Sequence, residues 1–168
     1  MKSPILFLVF NRPDVTKRVF LSIKNAKPPI LYIASDGPRL SEIGERDKVE
    51  DIRSYLLKNI DWNCEVKTLF RDTNLGCKVA VSEAINWFFK SEKEGIILED
   101  DCLPSQSFFD FCEDMLEKYR DDLRVWHISG NNFQNQKQYN NHKYYFSKIP
   151  HIWGWATWSN RWDAMMLK

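Results

Sequence analysis

Ile5 to Phe10 is an unbroken apolar run between Pro4 and Asn11-Arg12-Pro13, the pattern of a strand buried on both faces. Val15, Val19, Phe20 and Ile23 then recur at helical spacing, with Asp14 as the expected N-cap and Pro28-Pro29 as the stop. The alternation continues. Ile30 to Ala34 reads as a second strand, closed by the turn Ser35-Asp36-Gly37-Pro38, and Val49, Ile52, Leu56 and Ile60 mark one side of a second helix. Cys64 to Phe70 reads as a third strand. The loop Arg71 to Gly76 follows, and Ala80, Ala84, Ile85 and Phe88 mark a third helix. Gly95 to Leu98 is a fourth strand that runs straight into Glu99-Asp100-Asp101. Phe108, Phe109, Cys112, Leu116 and Tyr119 mark a fourth helix, and Arg124 to Ser129 a fifth strand. From Asn131 to Lys143 the chain turns to Asn, Gln, Tyr and Lys, with little to bury. This stretch, 131–143, reads as a flexible loop, placed to act as an active-site flap.

Strand and helix in alternation predict an α/β fold, a mostly parallel sheet flanked by helices on both faces. Right-handed crossovers put the C-terminal ends of such strands on one edge, where ligands bind. The loops expected there are 11–14, 36–39, 71–76, 99–105 and 129–132. The polar residues with chemical potential are concentrated in those same loops.

Composition narrows the picture. The 168 residues make one domain, 1–168. The formal net charge of +1 argues against a nucleic-acid partner, which calls for a marked basic excess. Cys64, Cys77, Cys102 and Cys112 show no CxxC pair and no zinc-knuckle spacing, and read as buried reduced thiols. The six-residue ILFLVF run is too short for a secretion signal or a membrane span, so a cytoplasmic location is expected, with peripheral association at the inner face of the membrane as an option. A new helical segment begins at Ser159 and the chain stops at Lys168, which reads as a domain truncated at its C-terminus.

Three adjacent carboxylates at a strand end repel one another and are costly to desolvate without a counter-charge. A hard divalent cation removes that cost, and oxygen ligands favour Mg2+ or Mn2+ over zinc. The alternative for Glu99-Asp100-Asp101 is a solvated acidic turn before the helix near Ser105. Arg12 is placed to pair with a diphosphate or to pack on a base, or is an exposed loop arginine. Asp36 is placed to accept the imide N–H of uracil, or is a turn former. Arg71, Asn74 and Gly76 precede a helix whose N-terminus favours an anion. There is no GxGxxG and no Walker A lysine motif, which leaves dinucleotide oxidoreductases and P-loop ATPases without support. His127 reads as a core histidine within a strand. His151 stands beside Trp153-Gly154-Trp155, aromatics suited either to stacking on a sugar or to the core.

Together, Phe10-Asn-Arg-Pro13, Ser35-Asp-Gly37, Arg71 with Asn74-Leu-Gly76, Ile97-Leu-Glu-Asp-Asp-Cys102 and Trp153-Gly-Trp155 resemble the nucleotide-diphospho-sugar transferase superfamily. The resemblance is to bacterial glycosyltransferases related to N-acetylglucosaminyltransferase I, and it runs from about Pro4 to Asp163. It implies a GT-A (Rossmann-like) fold and a metal-dependent glycosyltransferase, with a nucleotide-sugar donor, UDP-linked by expectation. The acceptor would be a glycan or lipid-linked glycan. By the same resemblance Asp101 is the Mn2+ or Mg2+ ligand of a Glu-Asp-Asp form of the DxD motif. Glu99 and Asp100 contact ribose or donor sugar, Arg12 the nucleotide or diphosphate and Asp36 the base, with Arg71 near the nucleotide. The chain departs from the pattern where an aspartate base is expected before Gly154-Trp155, because Ser147 to His151 holds no carboxylate. His151, Asp163 or a residue past Lys168 is left to serve as base. The other readings carried forward are a sugar-phosphate nucleotidyltransferase and a non-catalytic carbohydrate- or protein-binding domain that keeps the fold.

Overall fold

The computed structural model describes residues 1–133 and 144–166. Most of the expected 131–143 loop, residues 134–143, therefore lies outside the described residues. The elements run β1 (Ile5–Val9), α1 (Pro13–Ala26), β2 (Ile30–Ser35), α2 (Glu45–Asn59), β3 (Glu65–Phe70), α3 (Cys77–Phe89), β4 (Glu94–Glu99), α4 (Gln106–Lys118), β5 (Ile128–Ser129), β6 (Trp155–Trp158) and α5 (Ser159–Met166). They form an α/β fold around one sheet of order β3-β2-β1-β4-β6-β5. The first four strands in that order are parallel to their neighbours. β6 is antiparallel to both β4 and β5, so the sheet is mixed rather than uniformly parallel.

Every residue of β1 is buried, as its continuous apolar run requires of a central parallel strand. Alternate side chains serve opposite faces. Ile5, Phe7 and Val9 join Val19, Phe20, Ile52, Leu56, Phe109 and Cys112 beneath α1, α2 and α4. Leu6 and Leu8 join Tyr32, Ala84, Ile85, Phe88 and Trp155 beneath α3. Fully burying one such side chain stabilises the fold by about 1.5–3 kcal/mol. The strand ends are flush: Leu8 lies beside Glu99, Val9 beside Ser35, and Ser35 beside Phe70.

Four expectations are corrected. The N-cap of α1 is Arg12, not Asp14. Pro13 occupies the first helical position, where its missing N–H costs nothing, and Asp14 falls within the first turn, where its charge suits the helix dipole. The third strand starts at Glu65, one residue after Cys64. The fifth strand is two residues, not six, because Asp122 accepts the Arg124 N–H at 3.1 Å and folds 122–125 into a turn. That leaves His127 outside any strand. Trp155–Trp158 forms an unforeseen strand whose Trp155 and Trp158 are both buried. Arg161, just beyond it, donates to the carbonyls of Tyr119 and Arg120 at the end of α4 (3.3 and 2.7 Å), which fixes α5 in place. No described helix is long and apolar enough to cross a membrane.

Candidate functional site

The direction of chain progression reverses between β1 and β4, and at such a reversal the two outgoing loops part and leave a crevice. A cleft of about 440 Å³ opens there. Arg12 enters it from the loop after β1, Asp36 and Arg39 from the loop after β2, and Arg71 and Asn74 from the loop after β3. Glu99 and Asp100 enter from the end of β4, while Cys77, Ala80 and Val81 of α3 form an apolar wall. Four of the five loops expected at this edge thus meet in one cavity. Of the residues singled out in the sequence, Arg12, Asp36, Arg71, Glu99 and Asp100 line it.

Electrostatics divide the cleft in two. At one end Asp100 is 2% exposed. Arg12 reaches it through Nη2, and through Nε at 3.4 Å, while Arg12 Nη1 donates to Asp101 Oδ2 at 2.9 Å. Burial works to lower the Arg12 pKa, but its bonds to the two aspartates outweigh that and hold it above its ordinary value. The carboxylates are less well served. Burial pushes the Asp100 carboxyl up in spite of Arg12, and burial followed by the charges of Asp101 and Asp100 pushes Glu99 up. One half-exposed guanidinium therefore returns only part of what desolvation costs the acidic group. Further positive charge would be bound favourably here. Among the described residues no three His, Cys, Asp or Glu side chains converge as a metal-ligand cluster. The donor set fits a cation of the Mg2+ type, which takes one or two carboxylates and completes its shell from phosphates and water. Asp101 does not itself line the cleft; it is half-exposed and paired with Arg12, and it and Glu99, which does line the cleft, are the side chains that could hold the cation.

The other end is built by close approach of two loops. Asp36 accepts from the backbone N–H groups of Gly37, Leu75 and Gly76 at 2.9, 3.0 and 3.1 Å. Both its oxygens are thus turned towards the protein, and a uracil imide would have to share them. Asn74 donates to the Gly37 carbonyl at 2.9 Å. A Cβ on Gly37 would lie 2.4 Å from the backbone of Thr73, so only glycine lets the loops meet.

Beneath them lies Arg53, buried, which donates to Ser35 Oγ (3.0 Å) and to the carbonyls of Ser35, Asp36 and Arg71 (3.3, 3.2 and 2.6 Å). Arg39 forms a two-pronged pair with buried Glu45, which also accepts from Asn11 at 2.7 Å and so ties the first loop to the second. Arg71 pairs with Glu83 at 2.6 Å. Each of the three cleft arginines thus already has a carboxylate partner, and a polyanionic ligand entering alone would meet little free positive charge.

Arg39, Glu45 and Arg53 escaped the sequence reading. A signal was present, because Glu45, Val49, Ile52, Arg53 and Leu56 share one helical stripe and all are buried. Charged residues within an apolar stripe are there to hold something. His151 and Asp163 do not line the cleft. His151 precedes β6, on the edge that carries the cleft, where its ring packs against Phe133 and Trp153. Asp163 is exposed on α5, which starts at the opposite edge, where the Ser159 N–H meets the Lys93 carbonyl at 2.8 Å. Of the four thiols expected to be buried, Cys102 and Cys112 are, Cys64 is partly so, and Cys77 is exposed because it opens α3 at the loop after β3. Set against known families and curated proteins, the chain matches no family model and no curated protein.

Proposed function

We propose that this chain is the donor-binding domain of a metal-dependent glycosyltransferase with a GT-A type fold, acting on a nucleotide-diphosphate sugar. One observation carries the reading. Four strand-end loops converge on a cleft that is apolar along α3, where a nucleoside would lie, and under-compensated in positive charge at Glu99 and Asp100, where a diphosphate would lie. Anionic ligand and acidic protein are compatible only with a cation between them, and a bound Mn2+ or Mg2+ would neutralise charge on the departing nucleoside diphosphate.

The side chains have separate tasks in this scheme. Asp101 and Glu99 hold the cation, and buried Asp100 keeps Arg12 directed at the diphosphate. Arg71 closes the far side of the cleft. Asp36 and Arg53 act by fixing the two loops that shape the nucleoside end. His151 is the candidate base, since it stands on the edge that carries the cleft, and Asp163 is disfavoured by its position on α5. The acceptor would be a glycan or lipid-linked glycan.

Titration calorimetry with UDP, with and without Mn2+, tests this. Binding that needs Mn2+ and disappears in Asp101→Ala is the expected result, and metal-independent binding, or none, overturns it. Release of UDP from a panel of UDP-sugars then separates an enzyme from a binding domain. Formation of a nucleotide sugar from a sugar phosphate and a nucleoside triphosphate would instead identify a nucleotidyltransferase.

A further inference from the structure

The register of the mixed half of the sheet places an aromatic group beside the acidic end of the cleft. Trp155 lies opposite Ile97 of β4 and Ser129 of β5. The residues just before it and just after Ser129 therefore reach the strand-end edge on the flank of Glu99. Gly154, at φ +79°, turns the chain there, and its carbonyl accepts the Gly130 N–H at 3.1 Å. The turn keeps Trp153 out of the core. Its residue exposure is 57%, against 7% for Trp155 two positions on.

Trp153 is not loose. The His151 ring lies within 19° of parallel to the indole, with centroids 6.2 Å apart. Phe133 meets both edge-on, at 4.9 Å from His151 and 6.0 Å from Trp153. Edge-to-face contacts of this kind fix ring orientation, at about 0.5–1.5 kcal/mol each beyond area burial. The outcome is an oriented aromatic face, open to water, with a hydrogen-bonding imidazole in its midst.

We propose that Phe133, His151 and Trp153 form a carbohydrate-stacking subsite that holds a neutral pyranose ring of the acceptor. This rests on the donor reading above. With the nucleoside on the β1–β3 side and the diphosphate at the end of β4, the acceptor must approach from the remaining sector of the edge, that of β6 and β5, which carries these three rings. Pyranose rings present apolar C–H faces and polar rims, matching flat aromatic surface with an imidazole beside it. Among the described residues from Tyr144 to Trp153 the one Lys, Arg, Asp or Glu is Lys148. That composition offers little to an anionic lipid surface or a charged peptide.

The test is saturation-transfer NMR on the protein with UDP and Mn2+, using a mixture of methyl β-glucopyranoside, methyl β-galactopyranoside and methyl N-acetyl-β-glucosaminide. At least one glycoside is expected to receive saturation on its ring C–H protons. The signal should fall about tenfold in Trp153→Ala and persist in Trp153→Tyr, which keeps an aromatic ring. Phe133→Leu, a second route to the same face, should weaken it as well. UDP titration of each variant is the control for folding. UDP binding with no glycoside signal, or a signal unchanged in both Trp153→Ala and Phe133→Leu, overturns the subsite and leaves the donor reading intact. Loss of UDP binding in the unaltered protein overturns the donor reading itself. Fluorescence quenching by phosphatidylcholine vesicles that vanishes in Trp153→Ala would assign the face to lipid and overturn the proposal.

Discussion

Removing the Arg12 guanidinium should weaken the fold and at the same time make it more responsive to a divalent cation. Deleting the partner of a buried carboxylate costs about 3–5 kcal/mol. The Arg12 side chain is itself 51% exposed, so water screens part of this, and about 2–3 kcal/mol is expected for Arg12→Ala. At about 2–4 °C per kcal/mol for a chain of this size, the melting temperature should fall by about 4–12 °C. The substitution also frees Asp101 Oδ2, now 2.9 Å from Arg12 Nη1. A half-exposed pair of that kind is worth about 0.5–1 kcal/mol, so affinity for Mn2+ in the absence of nucleotide should rise about two- to fivefold. Affinity for UDP with Mn2+ should move the other way. Losing a charged donor to phosphate costs about 1.5–3 kcal/mol, or about ten- to a hundredfold. Thermal melts across a Mn2+ series, with calorimetry for UDP, measure all three quantities. Mn2+ should restore more stability to Arg12→Ala than it adds to the unaltered protein. Equal shifts in the two proteins, or UDP affinity left unchanged, would refute the reasoning.

Three further outcomes are expected. Arg53→Met keeps the length of the side chain but removes a donor from three carbonyls and Ser35 Oγ; the Ser35 carbonyl keeps the Arg71 N–H and the Asp36 carbonyl keeps Ser35 Oγ, so the Arg71 carbonyl bears the main loss. A cost of about 1–3 kcal/mol with a drop of about 2–12 °C is expected by calorimetry; a drop below about 2 °C would mean that water replaces the guanidinium. Gly37→Ala puts a methyl 2.4 Å from the Thr73 backbone and should cost about 1–3 kcal/mol, with UDP affinity reduced as the two loops part; unchanged melting and binding would show that the loops are not held together. Arg39 hydrogen bonds hold the Glu45 carboxyl at about 2, against an ordinary value of 4.5, with burial opposing. Because the folded value is depressed, Glu45 stabilises the protein above its ordinary value and loses that contribution as pH falls from there towards about 2. The melting-temperature gap between the unaltered protein and Glu45→Gln should therefore be wide near neutrality, narrow as pH falls below 4.5 and close towards about pH 2, and a gap independent of pH would exclude an ionised Glu45.

The parallel half of the fold was legible because its signals are local. A buried central strand such as Ile5–Val9 declares itself by an apolar run, and α1, α2 and α4 by their stripes. The convergence of Arg12, Asp36, Arg71, Glu99 and Asp100 followed from topology, since parallel strands deliver their outgoing loops to one edge. The antiparallel half was not legible. Trp155–Trp158 is short and aromatic, and its pairing with β4 joins residues about sixty positions apart, on which local periodicity is silent. Arg124 to Ser129 has the composition of a strand, but the Asp122 turn takes up Arg124 and Val125 and only Ile128 and Ser129 pair. Asp36 was identified by its place but not by its bonds, since its carboxylate stitches backbone 39–40 positions away.

The narrow join between β5 and β6 has a consequence for how such a protein can change. Among the described residues, bonding between β5 and β6 runs up to the Gly130–Gly154 bond, and residues 131–153 join the two strands in sequence. Doubling a loop's length raises its closure cost by only about 0.6 kcal/mol. A change of length in that connection is therefore expected to leave the strands from which Arg12, Asp36 and Glu99 emerge in place, whereas exchange of Tyr144 would remove its bonds to Lys118 and Tyr119 at the end of α4. On the reading proposed above, selectivity for the donor and selectivity for the acceptor would reside in different stretches of sequence, and either could drift without the other.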